Sequence, residues 1–382
     1  MPSSTATIKL RGMTWDHARA IDGLIACDGV LAERFGVEIE WERRSLLAFG
    51  DQHIAEFAGQ FDLMVIDHPH VPDAVQANAV LALEPLLGAD RIAELARESV
   101  GESHNSYLYK GQVWALAVDT AAQVSANRRG AKLRVPPFWD QVLRDAASGR
   151  VLWPYKPVDA FSTFATLLAQ LGKPLARRDE PLNSESAREA LDLMIALAKL
   201  VPDWCSGANP IDVAEALSEA ENFDYAVALF GYTNYSRVGF RPHLLEYEDI
   251  PSFDGRATGS ELGGAGIAVS SATKHPEVCG QVASYLAGAE AQAGLYGLGG
   301  GQPGNLVAWL DPELNSATNQ FFRHTLRTLE RAWVRPRVLG WPDYQLALSH
   351  IVHRVLVDRA YTAADIAEMQ ALPELHLLEV LP

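Results

Sequence analysis

Cysteine is scarce in this 382-residue sequence, which contains only Cys27, Cys205 and Cys279. The number is odd, and no two cysteines have the short spacing of a metal-binding pair. The sequence therefore predicts neither a disulfide framework nor a cysteine-ligated metal. We expect three small thiols in or near the core.

Long apolar runs are also lacking. No stretch of about 18 apolar residues occurs, so we expect no transmembrane segment. The first residues, MPSSTATIKLRG, have neither the basic nor the apolar region of a secretory signal, which predicts a cytoplasmic protein for the sequence as written. A periplasmic or extracellular location is expected instead if a signal segment has been removed.

The sequence has fewer basic than acidic residues. The chain has 32 Lys and Arg residues against 48 Asp and Glu residues, and its net charge is −16. An acidic protein repels phosphate backbones, and no basic stripe interrupts the sequence. We therefore expect no nucleic-acid partner.

The common catalytic and cofactor motifs are missing as well. The sequence has no P-loop, no HExxH, no CxxC and no GxSxG pattern. The segment GLGGGQPGN does have glycines at G-x-G-x-x-G spacing, but it follows a predicted helix rather than a strand and contains Pro303. This context excludes a dinucleotide site, so we expect no cofactor, and we interpret the segment as a flexible turn near a ligand that includes Gln302.

What the sequence does have is the composition of a folded protein. Hydrophobic residues make up 48% and charged residues 21%, and the length suits two domains or one large one. In the first 130 residues the strand-like segments TIKLRG, VEIEW and FDLMVI alternate with helix-like segments at 17–36, ending at Gly36, and at Leu46–Ala58. Strands separated by helices predict parallel βαβ units and an α/β fold.

The strand FDLMVI is followed at once by Asp67, His68, Pro69 and His70. In parallel sheets, ligands bind beyond the carboxyl ends of the strands, so we expect Asp67, His68 and His70 to face a ligand cleft. The two imidazoles could share a metal with Asp67 or His17, or one could cap a helix or bond to a buried carbonyl while the other meets solvent. Hydrogen bonding to a ligand is the preferred interpretation, and we expect no metal site.

The segment MTWDH lies in the same position after the first strand. Trp15 is expected to stack on a ligand, Asp16 to cap the following helix and His17 to line the cleft. Later segments include a strand at Val113–Ala117, a break, and a second strand near Gln123–Asn127. The segment SESAREALDLM predicts an amphipathic helix in which Ser186 and Glu189 form a capping box.

Several longer segments, in their order along the chain, resemble the extracellular solute-binding proteins of ABC importers, in the sugar-binding branch that includes maltose-binding protein. The segments are FDLMVIDHPHVPDAVQANAVLALEPLL, YLYKGQVWALAVDTAAQVSANRR, PPFWDQVL, FDYAVALFGYTNYS, LGGAGIAVSSATKHPEVCGQVASYLAG and RAWVRPRVLGWPDYQLAL. The second has the glycine-turn hairpin that leads into a crossover between lobes in this family.

The resemblance implies an α/β fold of the periplasmic-binding-protein type 2, with two lobes, a hinge and an interlobe ligand cleft. Residues 1–117 and 265–311 are expected to form one lobe, and residues 118–264 and 312–382 the other. The chain would cross near Val118, Gly264 and Asp311. A small-molecule ligand is the expected partner, with an ABC permease as a second partner if the protein is exported.

Further ligand-binding candidates follow strands or lie at the expected crossings. Asp119 matches the place where the family has a ligand-facing polar residue, although a turn acid is the alternative. Close approach of backbone to ligand, or hinge motion, would explain the glycines around Gly264. After later strands the sequence offers aromatic, amide and basic groups, which suit hydroxylated ligands but could also be packing: Tyr155, Lys156, Tyr232 and Asn234.

The segment RAWVRPRVLGWPDY brings Arg335, Arg337 and Trp341 together. By resemblance, Trp341 matches the family's late aromatic residue that stacks on sugar. The arginines could bind a carboxylate or phosphate in a bidentate manner, and we expect one of them to form a salt bridge with the acidic surface instead.

The sequence thus predicts a protein that binds a small polar solute, a sugar or a related hydroxylated or carboxylated compound, for an ABC-type importer. The alternative is a cytosolic enzyme on the same fold. It would act on a small organic acid or sugar by acid–base chemistry of His17, Asp67 and His68, since histidine titrates near neutral pH.

Overall fold

The computed structural model describes residues 7–45, 54, 58–379 and 381. The helix that the sequence predicts at Leu46–Ala58 lies almost entirely outside these residues. The chain divides into two compact units, Met1–Thr120 with Gly264–Leu314 (unit 1) and Ala121–Gly263 with Asn315–Pro382 (unit 2). The sequence predicts these boundaries after residues 117, 264 and 311.

The strands alternate with helices along much of the chain. They are β1 (Ile8–Trp15), β2 (Val37–Arg44), β3 (Leu63–Ile66), β4 (Leu108–Tyr109), β5 (Gln112–Val113), β6 (Leu116–Arg128), β7 (Val151–Leu152), β8 (Tyr225–Phe230), β9 (Leu245–Glu248) and β10 (Leu262–Val269).

The helices of the first half of the chain are α1 (Ala18–Ala26), α2 (Asp28–Phe35), α3 (Val71–Gln76), α4 (Glu84–Leu87), α5 (Ala89–Arg97), α6 (Trp139–Ala146), α7 (Pro157–Gln170) and α8 (Ser184–Ala198). Those of the second half are α9 (Pro210–Glu219), α10 (Pro276–Ala287), α11 (Ala289–Ala293), α12 (Leu295–Leu298), α13 (Leu306–Leu310), α14 (Pro312–Ala317), α15 (Phe321–Glu330), α16 (Trp341–Asp358) and α17 (Ala363–His376).

Unit 1 is built on a sheet in the order β2–β1–β3–β10. The strands β1, β2 and β3 are parallel, as the alternation of strands and helices predicts, and β10 runs antiparallel to β3. All four residues of β3 are buried, because helices cover both faces of such a sheet. The hairpin of β4 and β5 turns through Lys110 and Gly111, both at positive φ.

Two details of unit 1 differ from the sequence predictions. The strand β1 continues through Trp15 because it pairs with β2 along its whole length, so MTW belongs to the strand and does not follow it. The predicted helix at 17–36 is broken at Cys27, where α1 ends and α2 begins. Gly36 ends α2 with φ 64°, as predicted.

Unit 2 is built around β7, β8 and the second half of β6, with β9 also paired to β6. The predicted break between Ala117 and Gln123 is wrong, because β6 is one continuous strand of 13 residues, all of them buried. Burial on both faces removes the alternating pattern that would have revealed the strand. Asp119 therefore lies within a strand rather than in a turn.

The helix α8 begins differently from the prediction. Asn183 is its N-cap residue, and its side-chain oxygen accepts a hydrogen bond from the backbone N–H of Ser186 at 2.8 Å. The predicted capping box of Ser186 and Glu189 is wrong, because Ser186 already lies inside the helix. Asparagine is as good an N-cap as serine, so the earlier residue takes the position.

The three cysteines are buried and free, as the sequence predicts. Burial raises the pKa of Cys27 to about 12 and that of Cys205 to about 11. None of the described helices combines the length and apolarity needed to cross a membrane.

Candidate functional site

The first candidate site lies at the carboxyl edge of the unit 1 sheet. Because β1 and β3 are parallel neighbours, paired at Gly12 with Leu63 and at Met13 with Met64, their carboxyl ends lie at the same edge. Trp15 is the last residue of β1, and Asp67 comes directly after β3. The structure therefore brings the ends of the segments MTWDH and DHPH to one edge of one sheet.

Asp67 organises the turn that follows β3. Its Oδ1 accepts a hydrogen bond from the backbone N–H of His68 at 2.8 Å, and it lies 3.2 Å from Nδ1 of the same histidine. Pro69 suits the 3₁₀ turn at His68–His70 because its φ is fixed in the helical range. The ring of His68 is buried and meets Tyr107 edge-on, and His70 is buried at the start of α3.

The N-cap of α1 is His17, not Asp16 as predicted. The Nδ1 atom of His17 accepts a hydrogen bond from the backbone N–H of Arg19 at 3.0 Å. Asp16 points to solvent and lies 3.8 Å from the exposed Arg43 guanidinium. The β1 strand runs on through Trp15, which shifts the helix start by one residue and gives the cap position to the imidazole.

A buried ion pair was missed by the sequence analysis of this edge. The Arg19 guanidinium binds both carboxylate oxygens of Asp119, with Nε and Oδ2 2.8 Å apart and Nη2 bonded to Oδ1. Both side chains are almost fully buried. The Arg19 guanidinium also lies 5.9 Å from the Trp15 ring centroid, as in a cation–π contact. The available signal was a basic residue on the apolar face of a helix together with a buried acid that needs a partner.

Burial and the neighbouring charge of Arg19 shift the pKa of Asp119 in opposite directions. Burial raises the pKa of Asp119, the Arg19 pair opposes that shift, and Asp67 adds to it. Burial, together with the nearby Asp119, also raises the pKa of the buried Tyr296 well above its ordinary value. This edge of unit 1 therefore combines a fixed charge pair with aromatic and imidazole side chains.

Gly264 and Gln302 contact the strand β6. Gly264 has φ 120°, and a Cβ atom there would collide with the backbone oxygen of Asp119. This glycine thus allows its own backbone to lie close against the backbone of β6. The Gln302 side-chain amide donates to the backbone oxygen of Thr120 at 2.9 Å. The backbone N–H of Thr120 donates in return to the backbone oxygen of Gln302. A role for either residue in ligand binding stays a prediction.

The second candidate site lies at the carboxyl edge of the unit 2 sheet. The strands β7 and β8 are parallel neighbours, so the residues after them share an edge. Tyr155 and Lys156 follow β7, and Tyr232 and Asn234 follow β8. Tyr155, Tyr232 and Asn234 are buried, whereas Lys156 is partly exposed and is the N-cap of α7.

Tyr155 is held by ring stacking. Its ring lies 4.7 Å from that of Trp153, with an interplanar angle of 23°. Its backbone N–H donates to the Cys205 oxygen at 3.0 Å. Burial raises the pKa of the Tyr155 hydroxyl.

Arg335 forms a buried ion pair. Its Nε atom lies 3.2 Å from Oε1 of Glu261, and its Nη1 atom donates to Gln345 Oε1 at 3.3 Å. One of the two arginines thus forms a salt bridge, as expected, but its partner is an interior acid and not the acidic surface. Arg337 is partly exposed and donates from Nη1 to the Arg335 backbone oxygen at 3.2 Å.

Trp341 is fully buried as the first residue of α16. Its ring lies among those of Phe161, Trp333 and Tyr344, and its Nε1 donates to Gln345 Oε1 at 3.2 Å. The buried Tyr344 hydroxyl has no hydrogen-bond partner among the residues that the structure describes. Stacking of Trp341 on a sugar stays a prediction.

The histidines of DHPH are the candidate metal ligands of this edge. Within residues 7–45, 54, 58–379 and 381, no group of three or more His, Cys, Asp or Glu side chains is arranged to hold a metal ion. The imidazole of His17 accepts a backbone hydrogen bond instead, and the carboxylate of Asp67 caps a turn.

Comparison with known proteins gives a family and a fold. The family model described as bacterial extracellular solute-binding protein matches residues 51–322, well over half of the chain. A search of curated protein sequences finds no match to this chain.

Solved structures match over nearly the whole length. MalE3 of T. maritima with maltose bound is 16% identical, with 96% of this chain and 99% of that chain covered and a TM-score of 0.79. A solute-binding protein of an ABC transporter from Thermotoga lettingae, bound with α-D-tagatose, has 17% identity, 96% and 99% coverage and a TM-score of 0.79.

A third solute-binding protein, from Agrobacterium radiobacter K84 in complex with ribitol, has 16% identity, 96% and 98% coverage and a TM-score of 0.76. These matches confirm the predicted α/β fold of the two-lobe periplasmic binding proteins.

Proposed function

The chain belongs to the family of bacterial extracellular solute-binding proteins, and on this premise we propose that it binds a small polyhydroxylated solute for an ABC importer. The family match over residues 51–322 is the observation that supports the proposal most directly. The compared structures hold a disaccharide, a ketohexose and a sugar alcohol, which are all neutral compounds with several hydroxyl groups.

The chemistry of the two sheet edges supports such a ligand. The edge of unit 1 offers the carboxylate of Asp67 as a hydrogen-bond acceptor and the Trp15 indole as an apolar face. The edge of unit 2 offers Tyr155, Tyr232 and Asn234. Carboxylates and amides bind sugar hydroxyls, and aromatic faces cover the apolar side of a sugar ring. That both units contact one ligand stays a prediction of the sequence.

No observation favours the alternative of an acid–base enzyme. The ring nitrogen Nδ1 of His17 is used to cap α1, and Oδ1 of Asp67 accepts the His68 N–H in a turn. A general base needs a lone pair aimed at the substrate, and these two atoms are engaged with the backbone.

We infer that the protein acts outside the cytoplasm and delivers its ligand to an ABC permease. Membership of a family of extracellular solute-binding proteins supports this inference. Separation of the producing cells into cytoplasmic and extracytoplasmic fractions tests the location directly.

The binding proposal is tested by calorimetric titration of the full chain with maltose, α-D-tagatose and ribitol. We expect saturable binding of at least one compound. Asp67→Asn should weaken it about tenfold or more, because a hydrogen bond to a charged group is lost. The exposed neighbour Asp16 provides the control, since Asp16→Asn should leave affinity unchanged. Failure of the wild-type protein to bind any sugar or polyol would remove the proposal.

The same titration decides between binding and catalysis. Mass spectrometry of the recovered solute should show it chemically unchanged. Conversion of the solute that disappears in His17→Ala or His68→Ala would establish the enzyme instead.

A further inference from the structure

The helix α7 has a line of polar side chains on a largely apolar surface. Asp159, Thr163, Thr166 and Gln170 follow one another at intervals of four, three and four residues, so they lie on the same face. Asp159, Thr163 and Thr166 are all buried. A polar face turned to the interior must find its hydrogen bonds within the protein.

Thr163 and Thr166 both form hydrogen bonds within the protein. Thr166 donates from its hydroxyl to Gln123 Oε1 at 2.8 Å, and Gln123 donates from Nε2 to Thr163 Oγ1 at 3.3 Å. The Trp153 indole N–H also donates to Thr163 Oγ1, and the Glu261 backbone N–H donates to Thr166 Oγ1. The middle of the polar line is therefore fully bonded to β6 and its neighbours.

Asp159, at the start of the line, does not share in this network. Its side chain is 4% exposed, and its Oδ2 atom has no hydrogen-bond partner among the residues that the structure describes. A buried carboxyl oxygen without a donor is costly, so the presence of this group requires an explanation.

The nearby charges do not provide that donor. Lys156, three residues earlier and partly exposed, favours the ionised carboxyl, and Glu261 and Asp212 disfavour it. Glu261 has its own cation in Arg335. Burial is the largest effect and raises the pKa of Asp159 to about 8.

Asp159 lies at the edge of the unit 2 sheet where ligands of such folds usually bind. It lies in the first turn of α7, which follows β7, and β7 is parallel to β8. In open α/β sheets, ligands bind beyond the carboxyl ends of such strands. The N-terminus of a helix also favours an electron-rich group in its first turn.

We propose that Oδ2 of Asp159 accepts a hydrogen bond from a donor group of the bound solute, a hydroxyl or an ammonium. Asp159 is thus a specificity-determining residue that selects solutes with a donor at this position. The inference rests on the proposed function, and it adds a residue and a chemical requirement to it.

The test compares Asp159→Asn with the wild-type protein in titrations with maltose, α-D-tagatose, ribitol and D-glucosamine. Asparagine keeps the shape but replaces one carboxyl oxygen with an amide group that cannot accept a hydrogen bond. We expect the best solute to bind at least tenfold more weakly. Loss confined to D-glucosamine identifies an ammonium as the donor, and loss with the neutral compounds identifies a hydroxyl. Affinity within twofold of wild type overturns the proposal.

Asp343 provides a matched control, because it is an exposed acid in the first turn of α16. Asp343→Asn makes the same chemical change without touching the polar line, and it should leave affinity unchanged.

Thermal unfolding without solute is the second measurement. If Asp159 is kept for a ligand, Asp159→Asn should melt at the same temperature as the wild-type protein or higher at pH 8. A lower melting temperature would show that the carboxyl holds the fold together, and it would overturn the proposal. If the wild-type protein binds no solute, the proposed function fails, whereas the melting temperature still decides the role of Asp159.

Discussion

The guanidinium of Arg19 and the carboxylate of Asp119, 100 positions apart in the sequence, form a two-bonded ion pair in the interior of unit 1. The pair ties the first turn of α1 to the strand β6. Because the Arg19 guanidinium also faces the Trp15 ring, the pair fixes the side chains at the edge where ligand binding is proposed.

Removal of one partner of this pair should destabilise the protein strongly. Arg19→Met leaves the buried Asp119 carboxylate without a cation, and we expect a loss of about 3 kcal/mol or more in the free energy of unfolding. The double variant Arg19→Met, Asp119→Leu should recover most of that loss, since no buried charge remains. Urea unfolding of the wild-type protein and the two variants measures both effects.

The exposed pair of Arg11 and Glu42, 3.4 Å apart, is the matched control. Arg11→Met should change the free energy of unfolding by less than about 1 kcal/mol, because solvent screens exposed pairs. Equal losses in Arg19→Met and Arg11→Met would contradict the importance given to the buried pair.

The overall arrangement of strands could be predicted from the sequence, whereas the continuity of one strand and the helix caps could not. Strand and helix alternation predicts the parallel arrangement of β1, β2 and β3, because it depends on local patterns that survive folding. The continuous strand β6 could not be predicted, since a strand buried on both faces has no polar alternation, and Asp119 within it resembles a turn residue. The cap of α1 was misplaced by one residue and that of α8 by three, because several polar residues compete for a helix start.

The candidate sites show the same limit. The carboxyl-end rule predicts that Trp15 and Asp67 reach one edge, since that rule depends only on strand direction. Arg19, Glu261 and Asp159 were missed because their importance arises from burial and from partners distant in sequence. The role of a polar residue inside a helix can be inferred only when the surface that it faces is known.

Gly264 should tolerate no side chain. Its φ of 120° is unfavourable for an L residue, and a Cβ atom would collide with the Asp119 backbone oxygen. We expect Gly264→Ala to lower the free energy of unfolding by about 3 kcal/mol or more, from backbone strain and the clash together. Denaturant titration measures the change.

Gly36 separates the two causes. It has φ 64° and ψ 33°, in the left-handed region, but no atom lies within 4 Å of its ideal Cβ position, so Gly36→Ala should cost only about 1 kcal/mol. If the two alanine variants lost the same stability, the clash with β6 would not be the reason for glycine at position 264.

The revised start of α8 gives a third prediction. Asn183→Ala removes the side-chain oxygen that accepts the Ser186 N–H, and we expect a loss of about 1 kcal/mol in the free energy of unfolding. Glu189→Ala tests the box that the sequence predicts and should cost less. A larger effect at Glu189 would restore the original interpretation.

The stability of the protein should depend on pH through Asp159. Burial raises the pKa of Asp159 in the folded state from its ordinary value of 3.8 to about 8. Between these two values the unfolded chain has lost the proton and the folded chain retains it. The folded state then binds more protons, so the free energy of unfolding falls as the pH rises, by up to about 1.4 kcal/mol per pH unit from this group.

Asp159→Asn should remove this contribution, because asparagine does not titrate. Lys156, Glu261, Arg335 and Asp212 remain in the variant, so the difference in slope belongs to Asp159 itself. Urea unfolding at pH 5, 6, 7 and 8 measures the slope, with Asp343→Asn as the control that should retain it. Parallel curves for wild type and Asp159→Asn would mean that the carboxyl is ionised across this range. A donor would then already satisfy it in the folded protein, and its selection of a solute donor would lose its physical basis.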